Sequence, residues 1–122
     1  MNKEEFGMDA VTTLLKCLKS KRFINDMDKA KSEVKTETIT LRKEDDLFIR
    51  DAITGMGTIL KEDLEHHYYV TTIKVGTFGN TLTQAIIMRD GASAEIAVYA
   101  HEGLIKQHLA DKTIQKLKGI LC

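Results

Sequence analysis

Hydrophobic residues in the first third of the chain recur first with helical and then with strand periodicity. Over residues 8–24 they are spaced three and four apart, which is typical of an amphipathic helix. Residues 26–32 either extend this helix or form a second short one, and the pattern leaves both open. Residues 33–41 alternate in polarity and are rich in β-branched types, which predicts a strand with one exposed side.

Residues 47–65 allow two interpretations. As a helix they separate apolar from charged side chains cleanly, with Asp46 as the N-cap. Gly55 and Gly57 argue against it, because each costs about 1 kcal/mol inside a helix relative to alanine. The alternative is a strand, a glycine turn and a second strand. We take the helix as the prediction.

Three runs of alternating polarity follow, at residues 67–75, 81–89 and 93–100. The turns between them, residues 76–80 and 90–91, contain glycine, asparagine or aspartate, which tolerate the backbone angles of a hairpin. We therefore predict an antiparallel meander of three strands.

Helical spacing returns after Gly103 and lasts to Leu121, with lysines near the end. The chain, residues 1–122, is thus predicted to be a single α+β domain. Its sheet is expected to have three to four mostly antiparallel strands, including the C-terminal βββ meander, with N-terminal, central and C-terminal helices around it.

Pairing the meander strands across their turns places apolar residues of all three on one face. That face collects Ile73, Val75, Leu82, Ile86, Met88, Ala94, Ile96, Val98 and Ala100. Gln84 lies on it between Leu82 and Ile86, and a buried amide without partners costs about 1 to 3 kcal/mol. We therefore expect Gln84 to hydrogen-bond to the protein or to meet water at a cavity.

The second face of the predicted meander is half apolar, more than a solvated sheet face should be. In this register Val70 and Ile87 are cross-strand neighbours, with Ala85 and Tyr99 on the same face. A contiguous apolar group usually marks a covered surface. The cover is the N-terminal helix, a second subunit, or a bound ligand or partner.

The charge balance and the apolar segments of the chain limit which partners and which cellular compartment are expected. The chain has 11 Lys and Arg against 11 Asp and Glu up to Leu60 and 7 against 7 after it, which makes 18 of each. Binding nucleic acid or an anionic membrane normally requires a clustered basic excess, so neither is expected as a partner. The acidic start lacks an apolar signal segment and no run of eighteen apolar residues occurs, so we expect a soluble, cytoplasmic protein.

The sequence offers no evident catalytic or metal-binding constellation. His66 and His67 begin the first meander strand and His101 ends the third, which puts them about 30 Å apart, whereas zinc bonds are about 2.1 Å long. Cys17 and Cys122 give neither a zinc spacing nor a disulfide framework. We expect no catalytic residues, no metal and no cofactor.

Elimination leaves binding as the expected function. The leading prediction is a non-catalytic module that binds a protein or itself, including as a homodimer. Its candidate binding surface is formed by Val70, Phe78, Ile87 and Tyr99, with Phe78 at a glycine-flanked hairpin tip. The alternative is a small-molecule-binding or enzymatic domain with a pocket between sheet and helices. The polar groups of that pocket would be Tyr68, Lys74, Gln84 or Tyr99.

Overall fold

The computed structural model describes residues 9–76, 81–101 and 108–122. Within these ranges the chain forms four helices and five strands. In chain order they are α1 (Ala10–Ser20), α2 (Met27–Lys31), β1 (Val34–Thr40), α3 (Asp46–Thr54), β2 (Gly57–Asp63), β3 (Tyr68–Val75), β4 (Thr81–Asp90), β5 (Ser93–Tyr99) and α4 (Leu109–Leu121). The segment after α1 is therefore a second short helix rather than an extension.

The five strands form one antiparallel sheet in the order β1-β5-β4-β3-β2. Strands β2 to β5 follow one another as a meander, and β1 pairs with β5 so that Val34 lies opposite Tyr99. The predicted α+β class, the meander and the flanking helices are confirmed. The sheet has five strands rather than three or four, because β2 adds an edge strand.

The segment 47–65 is helix in its first half and strand in its second, so neither interpretation of the sequence was correct. Helix α3 ends at Thr54 with Gly55 as its C-cap, and β2 begins at Gly57. A Cβ atom on Gly57 would overlap the carbonyl oxygen of Thr72 on β3. This glycine therefore marks close strand pairing rather than a weak point in a helix.

The N-cap of α3 is also one residue earlier than predicted. Asp45, not Asp46, caps the helix, since its carboxylate accepts a hydrogen bond from the Leu47 N–H at 2.9 Å. Asp46 occupies the first turn of the helix and pairs with other elements.

Helices cover both faces of the sheet. On the face under α3 and α4, the α3/α4 face, the buried strand residues include Tyr69, Ile73, Ala85, Ile87, Ile96 and Val98. On the face under α1 and α2, the α1/α2 face, they are Tyr68, Val70, Ile86, Met88 and Ala97. Full burial of each large apolar side chain contributes about 1.5 to 3 kcal/mol, so the two cores together hold the helices to the sheet.

The predicted side-chain orientation is right for β3 and β5 and wrong for β4. Ile73 pairs with Thr83 and Ile87 pairs with Ile96, which turns Ile87 to the α3/α4 face and Gln84 to the α1/α2 face. The expected cross-strand pair Val70–Ile87 is replaced by Val70–Ile86. Every β4 residue from 83 to 88 is buried, so a slip of one residue exposes nothing and the apolar pattern alone does not define the register.

The α1/α2 face has the intramolecular cover that was one of the predicted alternatives. Leu14 and Leu18 of α1 are fully buried and belong to the same apolar cluster as Val70 and Ile86. The cover of this face therefore needs no second subunit. The α3/α4 face is closed in the same way by the chain's own helices.

A charged cluster ties the start of α3 to the start of β3 and the end of β4, opposite the turn that joins these two strands. Arg89 Nε donates to Asp46 Oδ1 at 2.8 Å, and His67 Nδ1 lies 2.9 Å from Asp46 Oδ2. The Tyr69 hydroxyl donates to the Asp46 carbonyl at 3.2 Å. The hydrogen bond from Arg89 lowers the pKa of the Asp46 carboxyl, His67 lowers it further, and burial opposes both.

Replacing Asp46 with asparagine is expected to lower the free energy of unfolding by about 1 to 2 kcal/mol at neutral pH, because the ion pair is only partly solvated. A lowered folded-state pKa stabilises the fold above the usual aspartate value of 3.8 and ceases to do so as the pH falls below it. Urea denaturation of the wild type and of Asp46→Asn should show that their difference in free energy of unfolding becomes smaller as the pH falls through this range. Asp51→Asn, on the exposed side of α3, is the control. If that difference stayed the same at every pH, the stabilising role of the ionised Asp46 carboxylate would be contradicted.

Candidate functional site

The turn after α1 brings the chain back to the sheet. Arg22 has a left-handed backbone, with φ 65°, and the Phe23 N–H donates to the Leu18 carbonyl at 2.9 Å. This closure ends the helix in the manner of a Schellman motif. Asp26 then caps α2 by accepting the Lys29 N–H at 3.1 Å. The two short-range motifs place residues 23–26 beside the ends of β4 and β5.

A cavity of about 470 Å³ lies between this turn, α2 and the adjacent ends of β4 and β5. We call it the Gln84 cavity. Its apolar lining residues are Phe23, Ile24, Ala30 and Leu82. Its polar lining residues include Asn25, Lys29, Glu33, Gln84, Tyr99 and His101. Apolar walls with a few convergent polar groups are the usual composition of a small-molecule site.

Gln84 is the most buried polar side chain of this cavity. It is 8% exposed, and its amide makes no hydrogen bond with any residue in the described ranges. No buried side-chain nitrogen or oxygen in those ranges is both sealed from solvent and without a partner, so the Gln84 amide reaches the cavity. Water or a ligand in the cavity can therefore bond to this amide, and without either it would cost about 1 to 3 kcal/mol.

Tyr99 is the cross-strand neighbour of Gln84, on β5. Burial raises the pKa of the Tyr99 phenol, and the negative charge of Glu33 raises it further. The hydroxyl therefore stays protonated at neutral pH and can donate as well as accept a hydrogen bond. Gln84 and Tyr99 together form a neutral hydrogen-bonding floor.

Two of the ionisable side chains at the cavity rim pair with each other. His101 Nδ1 lies 3.0 Å from Glu33 Oε2. Asp26 is used as the cap of α2. Phe23 and Leu82 are 42% and 53% exposed, which places apolar surface at the rim beside these charges. The cavity is thus neutral within and amphipathic at its rim.

A second cavity, of about 360 Å³, lies beyond Glu33 between the starts of β1 and α4. Lys35 Nζ and Asp111 Oδ2 pair across it at 2.9 Å, and His108 Nδ1 lies 3.9 Å from the same oxygen. The polar side chains described in its wall are exposed or partly exposed. This cavity therefore presents no buried polar group that lacks a partner.

The structure describes three of the four residues of the predicted binding surface. Val70 and Ile87 are fully buried on opposite faces of the sheet, which corrects the placement that the β4 register implied. Tyr99 lines the Gln84 cavity. Phe78 lies outside the described residues.

Two of the predicted pocket groups, Gln84 and Tyr99, meet at one cavity. Tyr68 is buried at the other end of the α1/α2 face, where the Lys61 ammonium lies 5.5 Å from its ring centre. Lys74 is exposed, and its carbonyl accepts a hydrogen bond from Lys116. Neither Tyr68 nor Lys74 is a lining residue of the Gln84 cavity.

Sequence reasoning missed the Glu33–His101 pair. The two residues are 68 positions apart. They meet because β1 pairs with β5, which sets Val34 opposite Tyr99 and the flanking residues near each other. Strand pairing between β1 and β5 was the signal that could have found them, and nothing local to either residue indicates it.

The histidines separate as expected: His67 lies by Arg89 at one end of the sheet and His101 by Glu33 at the other. Across residues 9–76, 81–101 and 108–122, no three His, Cys, Asp or Glu side chains converge as a metal site would require. Cys17 is buried and Cys122 is exposed. In those same ranges no helix has the length and apolar character that crossing a bilayer requires.

Comparison of the chain with models of protein families, with curated proteins and with solved structures finds no match.

Proposed function

We propose that the chain binds a small organic molecule in the Gln84 cavity. The observation that carries this proposal is the Gln84 side chain, which is 8% exposed and lines a cavity of about 470 Å³ without a partner in the described residues. Ligand pockets of roughly 300 to 1,000 Å³ are typical for small molecules. A ligand there would bond to the Gln84 amide in place of the water that the cavity admits.

This function is favoured over protein binding through the sheet. Both sheet faces are covered by helices of the same chain, so the apolar face on which the protein-binding interpretation depended is inside the fold. The exposed apolar side chains Phe23 and Leu82 stand at the cavity rim instead. Their position suits contact with the apolar part of a ligand.

Binding is favoured over catalysis by the chemistry of the walls. The lining residues include no serine, threonine or cysteine among those described, so none of the common hydroxyl or thiol nucleophiles faces the ligand. The Glu33–His101 pair could exchange protons, but the His101 side chain is 66% exposed. The floor that the ligand meets consists of an amide and a neutral phenol.

The proposal predicts a co-purifying ligand. Native mass spectrometry of the full chain from its natural host should show an added small mass that denaturation removes. Gln84→Leu should lose that mass. It should be at least as stable as the ligand-free wild type, because no hydrogen bond within the described residues is lost and an apolar group replaces a mostly buried amide.

The control is Gln115→Leu, the same change at an exposed position of α4. It should keep both the bound mass and the stability of the wild type. If the wild type carries no added mass and Gln84→Leu is less stable than the ligand-free wild type, the Gln84 amide has a structural role and the proposed function is wrong.

A further inference from the structure

The Gln84 side chain is informative about the class of ligand. A carboxamide carries an acceptor oxygen and a donor NH₂ side by side. A partner that satisfies both at once must present a donor and an acceptor with the same spacing. Cis amides, lactams and the amide-like edges of nucleobases do so, and glutamine pairs with adenine in this two-point manner in DNA recognition.

The surroundings of Gln84 restrict the ligand further. The Tyr99 hydroxyl, on the cross-strand neighbour, makes no hydrogen bond with the described residues and can supply a third contact. The aromatic residues Tyr99 and Phe23 and the apolar residue Ile24 line the same cavity. Such walls favour a flat, apolar body, because aromatic rings gain from stacked or edge contacts with other rings.

Charge argues against a strongly ionic ligand. The acids Asp26 and Glu33 and the bases Lys29 and His101 all line the cavity, so neither sign dominates. Glu33 and His101 are paired with each other, and Asp26 caps α2. Lys29 is exposed at the rim, where water solvates its ammonium. The buried floor itself is neutral.

We infer that the ligand is an uncharged planar heterocycle with a lactam edge, held by two hydrogen bonds to the Gln84 amide and a third to the Tyr99 hydroxyl. This inference rests on the proposed function, because it specifies the occupant of the same cavity.

The test compares two probes that differ by one methyl group. 2-Pyridone has a lactam N–H beside its carbonyl, whereas N-methyl-2-pyridone keeps the ring and the carbonyl but has no donor. The full ¹⁵N-labelled chain is titrated with each probe at millimolar concentrations. The signals followed are the Gln84 side-chain NH₂ and the backbone amides of Ile24 and Leu82.

2-Pyridone should shift all three signals, and the methylated probe should bind about tenfold more weakly, as the loss of one hydrogen bond implies. In Gln84→Leu the two probes should bind equally. In Gln115→Leu the tenfold preference should persist. Spectral dispersion shows whether each variant is folded.

Equal binding of the two probes to the wild type overturns the lactam edge but leaves a ligand site in the cavity. Absence of binding by both probes, together with a co-purified mass in the wild type, also overturns the ligand class and leaves the proposed function standing. Absence of binding by both probes without any co-purified mass overturns both.

Discussion

Gly57→Ala is expected to lower the free energy of unfolding by about 3 kcal/mol, the upper part of the usual range for overpacking. The added methyl group would overlap the Thr72 carbonyl oxygen and lie 2.8 Å from its carbon, and both are backbone atoms that cannot rotate away. Strand β2 must then shift from β3. Urea denaturation followed by circular dichroism measures the loss. Hydrogen exchange at the Lys74 amide, which donates to the Met56 carbonyl, reports where it occurs.

Gly119→Ala is the matched control. No atom lies within 4 Å of a Cβ at this position of α4, so alanine should gain up to about 1 kcal/mol from its higher helix propensity. A loss of less than about 1 kcal/mol in Gly57→Ala would show that β2 does not approach β3 as closely as described.

The glycine pair explains why the segment 47–65 could be predicted only in part. Its helical half was predictable, since Ile49 and Ile53 fall on one face and both are fully buried. Its second half carries the same apolar spacing by coincidence. The helix ends at its Gly55 C-cap, and β2 begins where Gly57 approaches the backbone of Thr72 on a different strand. Such a contact has no signature in local periodicity.

The β4 register was not predictable from polarity for a related reason. The alternation of polar and apolar residues specifies the register of a strand only where one face of the sheet is exposed to solvent. Strand β4 is buried on both faces from residue 83 to residue 88. Strands β3 and β5 were oriented correctly. For β4, Ile86 and Ile87 are equally acceptable on either face, and only the pairing with β3, in which Val75 lies opposite Thr81, distinguishes them.

The candidate site, too, could be predicted from the sequence only in part. Gln84 was predictable as a buried amide that needs a partner or a cavity, because that argument depends on its chemistry and its apolar neighbours and not on which face it occupies. The Gln84–Tyr99 pairing and the arrival of Glu33 beside His101 depend on strand contacts over long stretches of sequence. These follow from the sheet order, which periodicity alone does not give.

Ile87→Glu should lower the free energy of unfolding more than Gly57→Ala does, by about 4 kcal/mol or more, because it buries a carboxylate without a partner. Ile87 is fully buried beneath α3 and α4, between the cross-strand residues Tyr69 and Ile96. Leu64→Glu, at a position 58% exposed, is the control and should change stability by less than about 0.5 kcal/mol.

The dependence of the Ile87→Glu effect on protein concentration identifies what covers the α3/α4 face. If the chain's own helices cover it, the melting temperature should fall by the same amount at every concentration, since unfolding then involves one molecule. A second copy of the chain would instead make the wild-type melting temperature rise with concentration, and the variant would become a monomer by light scattering. Unchanged melting temperature and unchanged mass would show that Ile87 faces solvent, against its place in the core beside Ile96.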